Sequence, residues 1–449
     1  VSGKNSGAKA NNDILIVNSD STRIFTQDEK AGFGVVGVSA KRGSSASYMH
    51  ITPINYFIGE NSGKYITSGK YNSTFGFETG LHLTTASRNV FLGYQAGQKD
   101  STGDDNVFIG NQAGFLNISS INNVVIGSNA GFSLDTAGNN NVFIGKQAGE
   151  HVTNGIANVF IGSMSGNATT TGLGNIFIGD DAGIGNTTGN NNIFMGAGTG
   201  YDNTEGQENI FLGTNSGYNN TIGIENVFIG FQAGYNNIDG KDNIMLGNQT
   251  GYSLQHGNYN VFMGTGTVYM INSTSYTVAI GINSGHFLES GSDNTFLGTN
   301  TALYLTKGSG NVFVGTDCGR AGNSADTLDN ASHNTFLGNK TGYNISTGND
   351  NVFLGYEAGY NNNGSGNIFL GNKAGLNETG SNKLYIANSD SEPLIYGDFE
   401  KQKVTINNVL ILKPISSAPS DPVEGEIYVN SNDHHMYCYL NGAWKQLDN

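Results

Sequence analysis

Asn89-Val-Phe-Leu-Gly93, Asn106-Val-Phe-Ile-Gly110, Asn123-Val-Val-Ile-Gly127 and Asn141-Val-Phe-Ile-Gly145 are successive versions of one pentapeptide, set 17 or 18 residues apart. Nineteen copies run from the one that starts at Asn55 to the one that starts at Asn367, and a weaker twentieth starts at Asn382. The dominant spacing is 17. The fifth position is glycine in all nineteen, from Gly59 to Gly371, and the ninth is glycine in all but two, where Val268 and Ala302 stand. A period of 17 is too short for a helical pair or a propeller blade, but it suits one coil of a β-solenoid. A β-branched and aromatic run bounded by Asn and Gly reads as a short strand, and the glycines mark turns. With coils stacked at roughly 4.8 Å, about twenty of them make a rod on the order of 90 to 100 Å long.

Working outward, the expected fold is all-β: a parallel β-solenoid, or β-roll, of about twenty coils with β caps at both ends. Residues 1–54 read as an N-terminal β cap and 55–381 as the 17-residue-repeat solenoid. Residues 382–412 read as a closing β-hairpin region, 413–424, with Pro414, Pro419 and Pro422, as a linker, and 425–449 as a small terminal β module. Open solenoid ends would expose unpaired backbone, which is why caps are expected.

Composition narrows the function classes. Glycine, at 67 of 449 residues, is about twice its usual share, whereas only 5 residues are proline and 13% are charged. With 24 Phe and 21 Tyr the chain lacks the signature of disorder. A formal charge of −15 without clustered Lys and Arg argues against a nucleic-acid partner. There is no apolar run long enough for a membrane-spanning helix. A start at Val1, with no methionine or signal peptide, suggests a processed chain or a fragment. Cys318 and Cys438 read as isolated buried thiols rather than a disulfide framework.

The asparagine of position one has a use in a stack of coils, since identical amides can form a hydrogen-bonded ladder along the rod. Asn89, Asn106, Asn141, Asn158, Asn175 and Asn192 are therefore assigned a structural role, as are the turn glycines Gly93, Gly110, Gly145 and Gly162.

Side chains alternate across a strand, so positions two and four face one way and position three the other. Both faces are apolar. Val and Ile or Leu are expected to fill the coil. That would leave a column outside it: Phe91, Phe108, Phe143, Phe160, Phe177, Phe194, Phe211, Phe228, Phe262, Phe296, Phe313, Phe336, Phe353 and Phe369. An uncovered column of that length needs a partner, and the expectation is a homotrimer whose phenylalanines meet near the axis. The reverse assignment, with Phe inside and Val/Ile outside, leads to the same argument for an oligomer.

Asn-Val-Phe-Ile-Gly-x-x-Ala-Gly resembles the Ser-Val-Ala-Ile-Gly-x-x-Ala repeat of trimeric autotransporter adhesin heads, which are trimers of left-handed parallel β-rolls. The resemblance covers roughly residues 55–381. It departs in two respects, a longer coil and a Phe where those heads carry a small residue. Asp20-Ser-Thr-Arg-Ile-Phe25, Gly32-Phe-Gly-Val35 and Tyr48-Met-His-Ile-Thr-Pro-Ile-Asn-Tyr-Phe-Ile-Gly59 resemble the lead-in to such repeats in long surface or fibre proteins of Bacteroidota. Lys383-Leu-Tyr-Ile-Ala-Asn-Ser389 and Pro393-Leu-Ile-Tyr-Gly-Asp-Phe399 resemble the segment that closes them. Glu424-Gly-Glu-Ile-Tyr-Val-Asn430 and Tyr437-Cys-Tyr-Leu-Asn-Gly-Ala-Trp444 are similar to small β modules that end phage tail fibres.

Together these imply a structural or adhesive extracellular fibre, self-associating as a trimer or a higher-order filament, with a cell-surface glycan or host receptor as its partner. The alternatives are a receptor-binding tail fibre of a phage or phage-like contractile particle, and a glycan-cleaving tail spike. No catalytic, cofactor or metal residues are assigned. His434 and His435 adjoin but point to opposite faces of a strand, and Asp104-Asp105 and Asp180-Asp181 lack the glycine-rich pattern that supplies calcium ligands coil after coil. Two places are candidates for ligand contact. One is the coil with about six extra residues, holding Arg320, Asp326 and His333, for which a tolerated neutral insertion is the favoured reading. The other is Tyr437 and Trp444 in the terminal module, where packing competes with a sugar-stacking role.

Overall fold

The structure, a computed structural model, describes residues 45–322 and 330–448 together with strands at Leu15–Val17, Thr22–Ile24 and Phe33–Val38. Every regular element among them is a β-strand. One three-residue strand per coil pairs in parallel with those of the coils before and after it, residue to equivalent residue: Val142 with Val159, Phe143 with Phe160, Ile144 with Ile161. The ladder runs from Asn55–Ile58 to Ile368–Leu370 and makes a parallel β-solenoid of nineteen coils. The coil that carries the insertion keeps this register, Val312 pairing with Thr335.

Antiparallel strands continue the sheet at both ends. Phe33–Val38 pairs with Ser45–Ile51, which pairs with Asn55–Ile58. At the other end Lys383–Ile386 adds in parallel to the last coil, followed by Ile395–Asp398 and Lys403–Ile406 in antiparallel order. Ile427–Val429, Met436–Leu440 and Ala443–Gln446 form a separate three-stranded antiparallel sheet.

The interior is the reverse of the leading expectation. Asparagine one and phenylalanine three point inward, and Val/Ile two and four point out. Phe108, Phe143, Phe160, Phe177, Phe194, Phe211, Phe228, Phe262, Phe296, Phe313, Phe336 and Phe369 are fully buried within a single chain, and Phe91 and Phe353 nearly so. These side chains cannot form a subunit interface. A coil one side chain wide is filled by flat rings lying on one another: Phe177, Phe194 and Phe211 stack with centroids 4.8 Å apart, which is the strand spacing itself.

Each ring rests on the ninth residue of its own coil. A Cβ at Gly183 would come within 2.6 Å of the Phe177 ring, and one at Gly217 within 2.4 Å of Phe211. Glycine nine also has φ near +58° in most coils. Glycine five serves the stacking of coils instead. At Gly145 a Cβ would stand 2.2 Å from the carbonyl oxygen of Gly162 in the next coil, at φ +142°.

Asparagine one is inside for a polar reason. Each Oδ1 accepts the backbone N–H and, in most coils, the amide of the next asparagine: Asn192 N donates to Asn175 Oδ1 at 3.0 Å and Asn192 Nδ2 to the same oxygen at 3.2 Å. The same Nδ2 donates to the Gly206 carbonyl at 2.8 Å, tying the strand to the far side of its own coil. A buried amide is tolerable only when paired, and this ladder pairs it coil after coil.

A second polar column occupies position twelve in the middle of the rod. Asn203 donates to Asn186 and Asn220 to Asn203, both at 2.8 Å. Asn220 Oδ1 and both amide atoms of Asn237 are buried without partners. Turning the Asn237 amide over sets its NH2 against Asn220 Oδ1 and extends the same ladder by one step. Leu254, buried in the next coil, ends it.

Candidate functional site

With phenylalanine inside, the outer face of the solenoid sheet is built from positions two and four. They form two columns in strict register: Ile176, Ile193, Ile210 and Val227 in one, Ile178, Met195, Leu212 and Ile229 in the other. None of these positions in the nineteen copies holds a charged residue. The side chains are half-buried or exposed, 44% for Val90 and Leu92 and reaching 55% for Phe75. Across nineteen coils this amounts to on the order of 2,000 Å² of accessible surface, against 300–600 Å² for the largest apolar patch on a typical monomer. Exposed Tyr94, Phe231, Ile282 and Tyr356 at position six extend the apolar surface along one border.

A third set of columns runs along the turn at position ten. Tyr201, Tyr218, Tyr235, Tyr252, Tyr269 and His286 stack face to face with centroids 4.7 to 5.1 Å apart. Such a stack offers solvent its ring edges and hydroxyls rather than its faces, so it cannot stack a sugar except at its ends. Burial and the neighbouring phenols push the Tyr218 and Tyr252 hydroxyls above the usual tyrosine range, and these tyrosines stay neutral and hydrogen-bonding at physiological pH.

Arg320 belongs to the same turn column. Its guanidinium lies between Tyr304 and Tyr343, 5.0 and 5.2 Å from the ring centroids, and its Nη1 donates to the Tyr343 hydroxyl. It therefore fills a gap between aromatic stacks, and its Nε, buried without a hydrogen bond to any described residue, lies 3.8 Å from Asp317 Oδ1. His333 is exposed, 3.8 Å from Asp350, and Asp326 lies outside the described residues. Tyr437 and Trp444 sit with Tyr428 and Tyr439 on one face of the C-terminal sheet. Tyr428 stacks on Tyr437 at 5.3 Å, and Trp444 meets Tyr428 edge-on at 4.6 Å. The Tyr437 hydroxyl donates to Asp433 Oδ2 at 2.8 Å. All four rings are half-buried, largely against one another.

Cys318 stands at position eight, where other coils carry Ala, Ser or Thr. Its Sγ lies 3.7 Å from the Phe336 carbonyl, as Ser165 Oγ donates to Phe177 O in an equivalent coil. Burial pushes its thiol pKa far up, so it is an unreactive space-filling group. A shallow groove of about 730 Å³ lies along the N-terminal coils between Tyr65, His82, Lys99, Leu116 and Ile118. Burial and Lys99 hold the His82 imidazole below its ordinary pKa, so near neutral pH it is uncharged.

The Val/Ile outer sheet stood only as the reverse assignment in the sequence reading, and the position-ten stack was missed. Parity was the available signal, because asparagine one and phenylalanine three share a side of the strand, and a buried amide ladder carries the ring inward with it. No family model matches this chain, and no curated protein or solved structure matches it.

Proposed function

We propose that this protein is a rod-like structural subunit of an extracellular or cell-surface fibre, a homotrimer that serves attachment or filament formation. The observation that supports this reading is the uncharged, two-column Val/Ile face along the whole solenoid. Facing water it has no counterpart in an ordinary monomer, and facing copies of itself it exceeds the roughly 800 Å² per partner of a standard interface. The columns repeat with the rod, so the partner must present apolar side chains at the same spacing, and the nearest source of such a surface is another copy of the chain. Three copies is the number that the resemblance to adhesin heads suggests. Catalysis and cofactors form no part of the reading, and recognition of a glycan or receptor falls to turns and ends rather than to the repeated face.

Light scattering on the purified chain tests it. A mass of three chains at micromolar concentration is expected, and the pair Ile178→Lys and Leu212→Lys should yield single chains with unchanged far-UV circular dichroism, since both side chains point away from the core. An ordered wild-type monomer at that concentration would sink the proposal.

A further inference from the structure

Four of the five most exposed large aliphatic side chains among the described residues lie not on the rod but just beyond it. Val404 is 67% exposed, Val409 78%, Leu410 61% and Ile411 84%. They lie in and after the last strand of the solenoid sheet, Lys403–Ile406, which bonds to Ile395–Asp398 along one edge and to no described strand along the other. From Asn408 to Lys413 the chain is irregular, and its backbone makes no hydrogen bond to any described residue. Val-Leu-Ile-Leu is nevertheless a strand-forming sequence with apolar side chains on both faces, the pattern of a strand covered on both sides. Pro414, after one intervening residue, limits any pairing to these few residues.

We infer that Val409–Leu412 is a joining strand, paired in the assembly with the same segment of a second copy of this chain. The inference rests on the reading of the protein as a self-associating rod and adds where its C-terminal end is closed. Rods laid side by side in register along their Val/Ile faces bring these segments out at one end and close together. There the unpaired N–H and C=O groups of one copy meet those of the next, a main-chain addition that also covers the aliphatic side chains. Val404, Ile406, Val409, Leu410 and Ile411 offer roughly 600 Å² per copy, close to the 800 Å² that one partner contributes to a standard interface. Asn407 and Asn408 before the segment and Lys413 after it carry a single positive charge between them, so nothing in its surroundings selects for a charged foreign ligand.

Hydrogen exchange on the full chain, read by mass spectrometry alongside light scattering, tests this. In the wild-type assembly the amides of Val409–Leu412 should exchange at least 100-fold more slowly than an unstructured peptide. That protection should vanish on dilution to single chains and in Ile411→Asp, while the coil amides stay protected. Fast exchange at 409–412 in a preparation with the mass of a multimer overturns the joining strand and leaves the rod reading standing. A single-chain mass at all concentrations overturns both. Protection that survives dilution to single chains shows an intramolecular partner and overturns the inference.

Discussion

Inside each coil the positions that matter are one, three, eight and twelve, and the column at twelve shows how much a single atom can change. Most coils place Asn, Leu, Ile or Val there, but one places Asp100, which is fully buried. Its Oδ1 accepts the Gly103 N–H at 2.9 Å and its Oδ2 the Asn117 amide at 2.8 Å. Burial outweighs these bonds and holds the carboxyl well above its ordinary pKa. Below the unfolded pKa the side chain is protonated in both states and costs nothing. As pH rises from there toward the folded pKa, the unfolded chain ionises and the folded one resists, so stability falls. Asp100→Asn, which matches the coil below, should raise the melting temperature at pH 7 and leave it unchanged near pH 3. Thermal melts of the two proteins across that range check this, and an equal shift at both pH values would refute the assignment. The same scale explains the inverted interior. Ranking side chains by size suggested that Val and Ile fit a narrow coil, whereas stacked rings need only one layer per coil and the amide ladder fixes which side they take.

For the elements, the repeat told where strands and turns fall because both glycines are tied to contacts that recur. Glycine five passes beneath the next coil's carbonyl and glycine nine beneath its own ring, so each is required in nearly every coil. What the sequence left hidden depends on side chains with no period. In the closing strands Asp398 is buried, accepts the Lys401 N–H at 3.0 Å and the Lys383 ammonium at 3.0 Å, and lies 3.5 Å from the Lys401 ammonium. The Lys401 amide and then Lys383 pull its pKa down to about 2. A carboxyl depressed in the folded state stabilises it above the unfolded pKa, and that stabilisation is lost as pH falls from about 4 toward the folded value. Amides of Lys383–Ile406 should therefore be protected from exchange at pH 5 and loosen on acidification before those of the coils do. In Asp398→Asn these strands should exchange faster at pH 5 and show little further change with acid. Identical acid sensitivity in the two proteins would count against the role given to Asp398.

As a whole molecule the rod is additive along one direction, because every coil bonds only to its two neighbours. Its length, class and parallel register were legible from a spacing of 17 alone. The outer face was legible only in outline: an apolar column outside the coil was foreseen, with Phe as the leading choice and Val/Ile as the reverse, since period two gives two faces without saying which is the interior. Deleting residues 192–208, one whole coil, should leave the melting temperature within a few degrees and shorten the rod by about 4.8 Å; deleting 192–207 leaves an 18-residue coil, the spacing already found between Asn123 and Asn141, and should keep the register of the strands that follow at a lower melting temperature. Calorimetry and solution scattering separate these outcomes.

The hydrogen bonds of the Asn ladder and of the strand pairs point along the rod, so a pull on its two ends loads them one coil at a time instead of shearing a long sheet. Each coil that opens gives up about 4.8 Å of rod and releases roughly 55 Å of extended chain. Under tension the molecule is a spool rather than a strut, yielding length in equal increments while the turns still wound keep their packing.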